Sequence, residues 1–191
     1  MKSLPLITCI LLLITGCQPD YTPKPRGYFR IDFPEQEYQL FDTTFPYTFE
    51  YPVYARILPD HSRIAEPYWI NISFPAFHAQ LHISYKVIHN NLAGYLEDSR
   101  TLVNKHIPKA SSITRQEFID APKQVYGMVY EIRGSEAASP CQFYLTDSLS
   151  RFLRGELYFD LVPNNDSLSP VIDHLKKDIR HMINTFCWKK S

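Results

Sequence analysis

The chain has 191 residues, 45% hydrophobic and 21% charged, the composition of a folded globular protein rather than a disordered one. Its 20 basic residues balance 20 acidic ones, which excludes the strong basic excess of a nucleic-acid binder. Only 6 Gly stand against 15 Pro, which argues against glycine-rich phosphate loops, while 13 Tyr and 12 Phe predict rings packed in a sheet core and at its edges.

Lys2 opens the chain with a positive charge. An apolar stretch from Leu4 to Ile14 follows, interrupted only by Pro5 and Thr8. It is shorter than the roughly 20 residues of a membrane-spanning helix and has the length of a signal-peptide core. It runs into Ile14-Thr15-Gly16-Cys17, which resembles the bacterial lipobox: a branched apolar residue, two small residues, then cysteine. Small residues let a peptidase reach the bond after Gly16, and the Cys17 thiolate accepts a diacylglycerol. Residues 1–16 are therefore read as an export signal, with Cys9 lost with it, and Cys17 as the lipidated N-terminus. Several fatty acyl chains, palmitate among them, hold a membrane stably where one does not. Gln18, not Asp, follows the cysteine, and no acidic cluster signals display on the cell exterior. By analogy with Gram-negative sorting this predicts an outer-membrane lipoprotein facing the periplasm.

Residues 17–26 carry three prolines and read as an extended lipidated tether; residues 27–191 read as one globular domain. At the junction, Arg26, Tyr28 and Arg30 combine arginine with aromatics, the mixture enriched at protein interfaces. The same stretch, 28–33, also alternates as a first strand does, with Arg30 and Asp32 as surface positions.

Further strands are predicted over 47–51, closed by Pro52, and over 69–74 and 79–87, which form a hairpin around Pro75-Ala76-Phe77. Asn90 or Asn91 caps a helix carrying Leu92, Leu96, Leu102 or Val103, and Ile107, and Pro108 marks its end. Strands follow at 125–132, 142–145 and 152–161, with a possible short strand at 113–119. Residues 147–150 make the turn between the last two. Ser169 as N-cap and Pro170 at the first helical position start a final helix. Its stripe is Ile172, Leu175, Ile179, Met182 or Ile183, and Phe186. Consecutive strands joined by short turns imply an antiparallel sheet with helices packed on it, an α+β fold. The pattern looks like the Mog1/PsbP-like architecture.

Chemistry is sparse. His78 and His82 are four apart; His61, His89 and His106 are scattered, so no metal set of three or four ligands emerges. Asp32 with Glu35, or Asp147 with Asp160, would pair only through tertiary structure. Ser135 and Ser139 lie in an ordinary connection, without the elbow of a serine hydrolase. Cys141 and Cys187 are either a disulfide, permitted in an oxidising compartment, or two separate thiols. No cofactor is expected.

Five stretches, taken together, carry a family resemblance. They are Pro23-Lys24-Pro25-Arg26-Gly27-Tyr28, Phe45-Pro46-Tyr47-Thr48-Phe49-Glu50-Tyr51 and Val125-Tyr126-Gly127-Met128-Val129-Tyr130-Glu131. The others are Gln142-Phe143-Tyr144-Leu145-Thr146-Asp147-Ser148 and Phe152-Leu153-Arg154-Gly155-Glu156-Leu157-Tyr158-Phe159. In these the chain resembles the gliding motility lipoprotein GldD family of Bacteroidetes. The resemblance implies a non-enzymatic component of the gliding motility and type IX secretion apparatus. Its partners would be the membrane, through the lipid, and other envelope proteins of that machinery. The alternative expectation is a periplasmic module that binds glycan, peptidoglycan or lipid, recognised by a deep apolar pocket with a few polar groups.

Overall fold

The computed structural model describes residues 31–189. Period-two alternation builds their main sheet. β3 (Arg56–Pro59), β4 (Ile70–Phe74), β5 (Ala79–Val87), β6 (Ser112–Asp120), β7 (Val125–Arg133), β8 (Cys141–Thr146) and β9 (Arg151–Phe159) make seven strands in the order β3-β4-β5-β9-β8-β7-β6. Every pairing is antiparallel. β1 (Tyr38–Phe41), β2 (Tyr47–Pro52) and β10 (Cys187–Trp188) form a second, three-stranded sheet. The α+β class expected from sequence is the class observed.

Side chains on alternate faces of the large sheet meet different cover. Ile72, Leu81, Leu157, Phe143 and Leu145 fill the first face and are almost wholly buried. They lie under the apolar stripe of the C-terminal helix, α2 (Asn165–Thr185), whose Ile172, Leu175, Ile179, Met182 and Ile183 are buried as predicted. Tyr47 and Phe49 of β2, and Phe186, complete this core. At its centre Gly155 lies opposite Phe143; a Cβ on Gly155 would fall against the Phe143 ring, so only glycine leaves the ring its place.

The second face is covered over part of its width. α1 (Leu92–Asn104) packs Val103 against Tyr130, Ile132 and Ala137, and Tyr95 stacks on Phe152 at 5.4 Å.

Several expectations are corrected. No strand runs through 31–33: residues 31–37 have no regular structure, and Phe33 stacks on His174 at 4.6 Å instead. α2 begins at Asn165, four residues before Ser169, because Asn165 Nδ2 donates to the carbonyls of Gly134 and Ala137, both at 2.8 Å. These bonds fix an extra turn ahead of Pro170. β9 stops at Phe159, which leaves Leu161 outside it and exposed. Ile107 lies beyond α1 in a 3-10 turn with Pro108 and is exposed. β1 and β3 were not predicted at all.

Candidate functional site

The uncovered half of the second face is where polar chemistry collects. Cross-strand register aligns His82 with Glu156, and Glu156 with Gln142. The neighbouring row aligns Ser84 with Arg154. Beside them the loop between β3 and β4 rises with Asp60, Ser62 and Trp69. The result is an open cleft of about 340 Å³ lined by these residues, Gln142 excepted, together with Tyr158; Gln142 is buried behind Arg154.

Its two central charges are matched to each other. Arg154 forms an ion pair with Glu156, and the two side chains are 14% and 16% exposed. The Tyr158 hydroxyl donates to Glu156 Oε2 at 2.5 Å. Arg154 Nη2 donates to Gln142 Oε1 at 3.1 Å, and the Gln142 amide meets His106 Nε2 at 2.9 Å. Burial pushes His106 below the ordinary imidazole range; the Glu156 charge opposes that shift and Arg154 adds to it. A neutral His106 accepts the amide hydrogen of Gln142. Burial, then the hydrogen bond and charge of Glu156, pushes the Tyr158 phenol up. His82 stands edge-on to Tyr158 at 5.6 Å. At the rim Trp69 Nε1 donates to the Tyr85 carbonyl at 2.8 Å, and Lys86 lies 5.3 Å from its ring centre. The cleft thus offers fixed charges, hydrogen-bonding groups and an aromatic wall to something that docks.

A second polar cluster ties down the chain that follows residue 31. Asp178 of α2 is 1% exposed in its side chain. It accepts hydrogen bonds from Tyr54, from Tyr38 at 2.9 Å and from Gln36 at 3.2 Å. The Tyr54 hydroxyl also meets His174 Nε2 at 3.0 Å. Burial pushes His174 down, the Asp178 charge opposes that and Lys177 adds to it. Burial and the bond to Asp178 push both tyrosines up. A buried carboxylate is stable only when its lone pairs are taken up, and here three donors from before β3 fill them. The cluster works as a clasp between residues 36–54 and the final helix.

Cys17, Arg26, Tyr28 and Arg30 lie outside the described residues. Cys141 and Cys187 are free thiols. Cys141 opens β8 of the large sheet, whereas Cys187 pairs with Thr48 of β2 in the small one, so the bridge considered from sequence is not formed here. Burial pushes the Cys141 thiol up to about 12, which leaves it protonated and inert. His78 caps the turn before β5 in the left-handed region, while His82 faces the cleft. Among the described residues no three His, Cys, Asp or Glu side chains converge as a metal site would require. Asp147 and Asp160 sit at opposite ends of the nine-residue β9, about 30 Å apart at strand rise, so they form no acid/base pair. Asp147 instead accepts from the backbone of Leu149, Ser150 and Arg151. Ser139 is buried and donates to the Cys141 carbonyl.

The sequence reading missed Arg154, Glu156 and Tyr158 as a unit, although their i, i+2, i+4 spacing on one strand places them on one face. It also missed His174 and Asp178, one turn apart beside an apolar stripe.

A family model described as gliding motility lipoprotein GldD matches residues 18–188. No curated protein gives a significant match. Among solved structures the chain is similar to the solution structure of cyanobacterial PsbP (CyanoP) from Synechocystis sp. PCC 6803. The identity is 10% and the TM-score 0.49, over 82% of this chain and 95% of that one.

Proposed function

The chain belongs to the gliding motility lipoprotein GldD family, and from that premise we propose that it is a non-enzymatic, lipid-anchored component of the gliding and type IX secretion apparatus, held in the outer membrane and facing the periplasm. The match over residues 18–188 is the observation that carries this reading. The lipobox ending at Cys17 supports the anchor, and Gln18 after it supports the outer membrane. The mechanism is tethering: an anchor confines the domain near the bilayer and raises its effective concentration for other anchored or membrane-embedded partners. The uncovered half of the large sheet is the docking surface. Arg154 and Glu156 are already paired there, so a partner meets a fixed charge pattern without a conformational change.

Affinity capture from detergent-solubilised envelopes tests the proposal. Secretion or motility components are expected with the intact chain. Their yield should fall when Glu156→Lys reverses the charge pattern of the cleft. Recovery of none of these components with the intact chain would defeat the reading.

One observation favours a second reading, a ligand-binding module. Trp69 and Tyr158 share the cleft with Asp60 and Arg154, a lining suited to a hydroxyl-rich glycan rather than a lipid. Saturable binding of soluble peptidoglycan fragments, abolished by Trp69→Ala, would turn the account toward it.

A further inference from the structure

β6 ends the large sheet. It pairs with β7 along all nine residues without a bulge, and among the described residues no strand pairs with its other side. Such an edge presents a row of backbone donors and acceptors ready for another strand. The opposite edge is blunted: β3 is four residues long and ends in Pro59. β6 has no proline, and Thr114, Arg115, Gln116, Glu117 and Ile119 are exposed along it.

The residue order of β6 is self-complementary about Gln116. Two β6 strands meeting antiparallel on a two-fold axis at Gln116 set Arg115 opposite Glu117 of the partner subunit. The same register sets Ile113 opposite the partner's Ile119 and Thr114 opposite the partner's Phe118. Symmetry makes each of these pairs twice. The register with β7 puts Ile113, Arg115, Glu117 and Ile119 on one face of the strand. Two ion pairs would therefore lie side by side, flanked by two apolar pairs, the units that stabilise antiparallel strands. Ile119, 67% exposed in the single chain, would gain cover. Moving the axis to residue 115 sets Arg115 against itself, and moving it to residue 117 does the same to Glu117. Like charges directly opposite oppose pairing, so the pattern favours the axis at Gln116 over either neighbouring register.

We propose that β6 is a homodimerisation edge, through which two copies of this chain join their large sheets into one continuous antiparallel sheet. One strand pair buries less surface than a free dimer needs. The contact therefore relies on confinement of the copies to one membrane, and to that extent it rests on the anchoring proposed above.

Disulfide crosslinking in native envelopes tests it, because residue 116 of each copy lies on the axis. Membrane fractionation of the same samples reports the anchor separately. With oxidant, Gln116→Cys is expected to give a homodimer roughly tenfold above the band from the exposed control His89→Cys or from the natural thiols alone. Arg115→Glu or Glu117→Arg, each added to Gln116→Cys, should lower the band roughly tenfold. Co-expression of these two charge variants under different tags should restore it as a mixed dimer, since acidic 115 then faces basic 117 and the reverse. That restoration also shows that both variants fold. The proposal is overturned if membrane-bound Gln116→Cys links no better than the control, links to a different protein, or ignores the charge changes.

Discussion

Replacing Asp178 by alanine is expected to unfold the clasp between α2 and the chain that follows residue 31. The carboxylate is buried and takes hydrogen bonds from Tyr54, Tyr38 and Gln36. A hydrogen bond to a charged group contributes about 1.5–3 kcal/mol. Gln36 is exposed, so its bond is readily exchanged for one to water and counts for little. The two tyrosine bonds then total about 3–6 kcal/mol, reduced because alanine no longer has to desolvate a carboxylate. A net loss of about 3 kcal/mol is expected for Asp178→Ala, and about 1.5–2 kcal/mol each for Tyr38→Phe and Tyr54→Phe, which leave the carboxylate buried with one donor fewer. Urea denaturation of the purified protein followed by tryptophan fluorescence measures all three. The tyrosine changes should have almost no further effect in an Asp178→Ala background, since the interaction they remove is already gone. A loss below about 1 kcal/mol for Asp178→Ala, or full additivity of the three changes, would refute the clasp.

Two other perturbations follow from the core and the buried imidazoles. Gly155→Ala drives a methyl group against the Phe143 ring and should destabilise by about 2–3 kcal/mol; adding Phe143→Leu should recover part of it, and a neutral single variant would show that the ring has room to move. His106 and His174 both titrate below the ordinary value of 6.5 when folded. The unfolded chain therefore binds more protons below that pH, and stability rises with pH through that window. Full stability is expected above 6.5 and a falling Tm toward pH 5, with a shallower fall in His174→Gln; a Tm that holds or climbs on acidification would contradict the assignment.

The elements legible in the sequence were those with enough residues to show a period. Ile70, Ile72 and Phe74 alternate cleanly, as do Leu81, Ile83 and Tyr85, and both runs are strands with these side chains buried. The stripe of α2 was equally plain. β1 and β3, four residues each, are too short to display a period, and their pairing is fixed by longer neighbours. Ser169-Pro170 imitated a helix start because Pro suits the first turn; the real start depends on two carbonyls about thirty residues upstream, which local sequence does not show. The cleft was invisible for a similar reason. Gln142, Glu156 and His82 become neighbours only through register across three strands. The proposed anchor, by contrast, rests on a local signal, the lipobox-like stretch ending at Cys17, which is readable in the first seventeen residues.

Mass spectrometry of the mature protein extracted from native envelopes bears most directly on the claim that an acylated cysteine holds this domain at a membrane. The expected product begins at Cys17, carries diacylglycerol, and sediments with membranes, while Cys17→Ser leaves an unacylated chain. A mature wild-type protein that starts elsewhere, bears no acyl group and is recovered in the soluble fraction would contradict it.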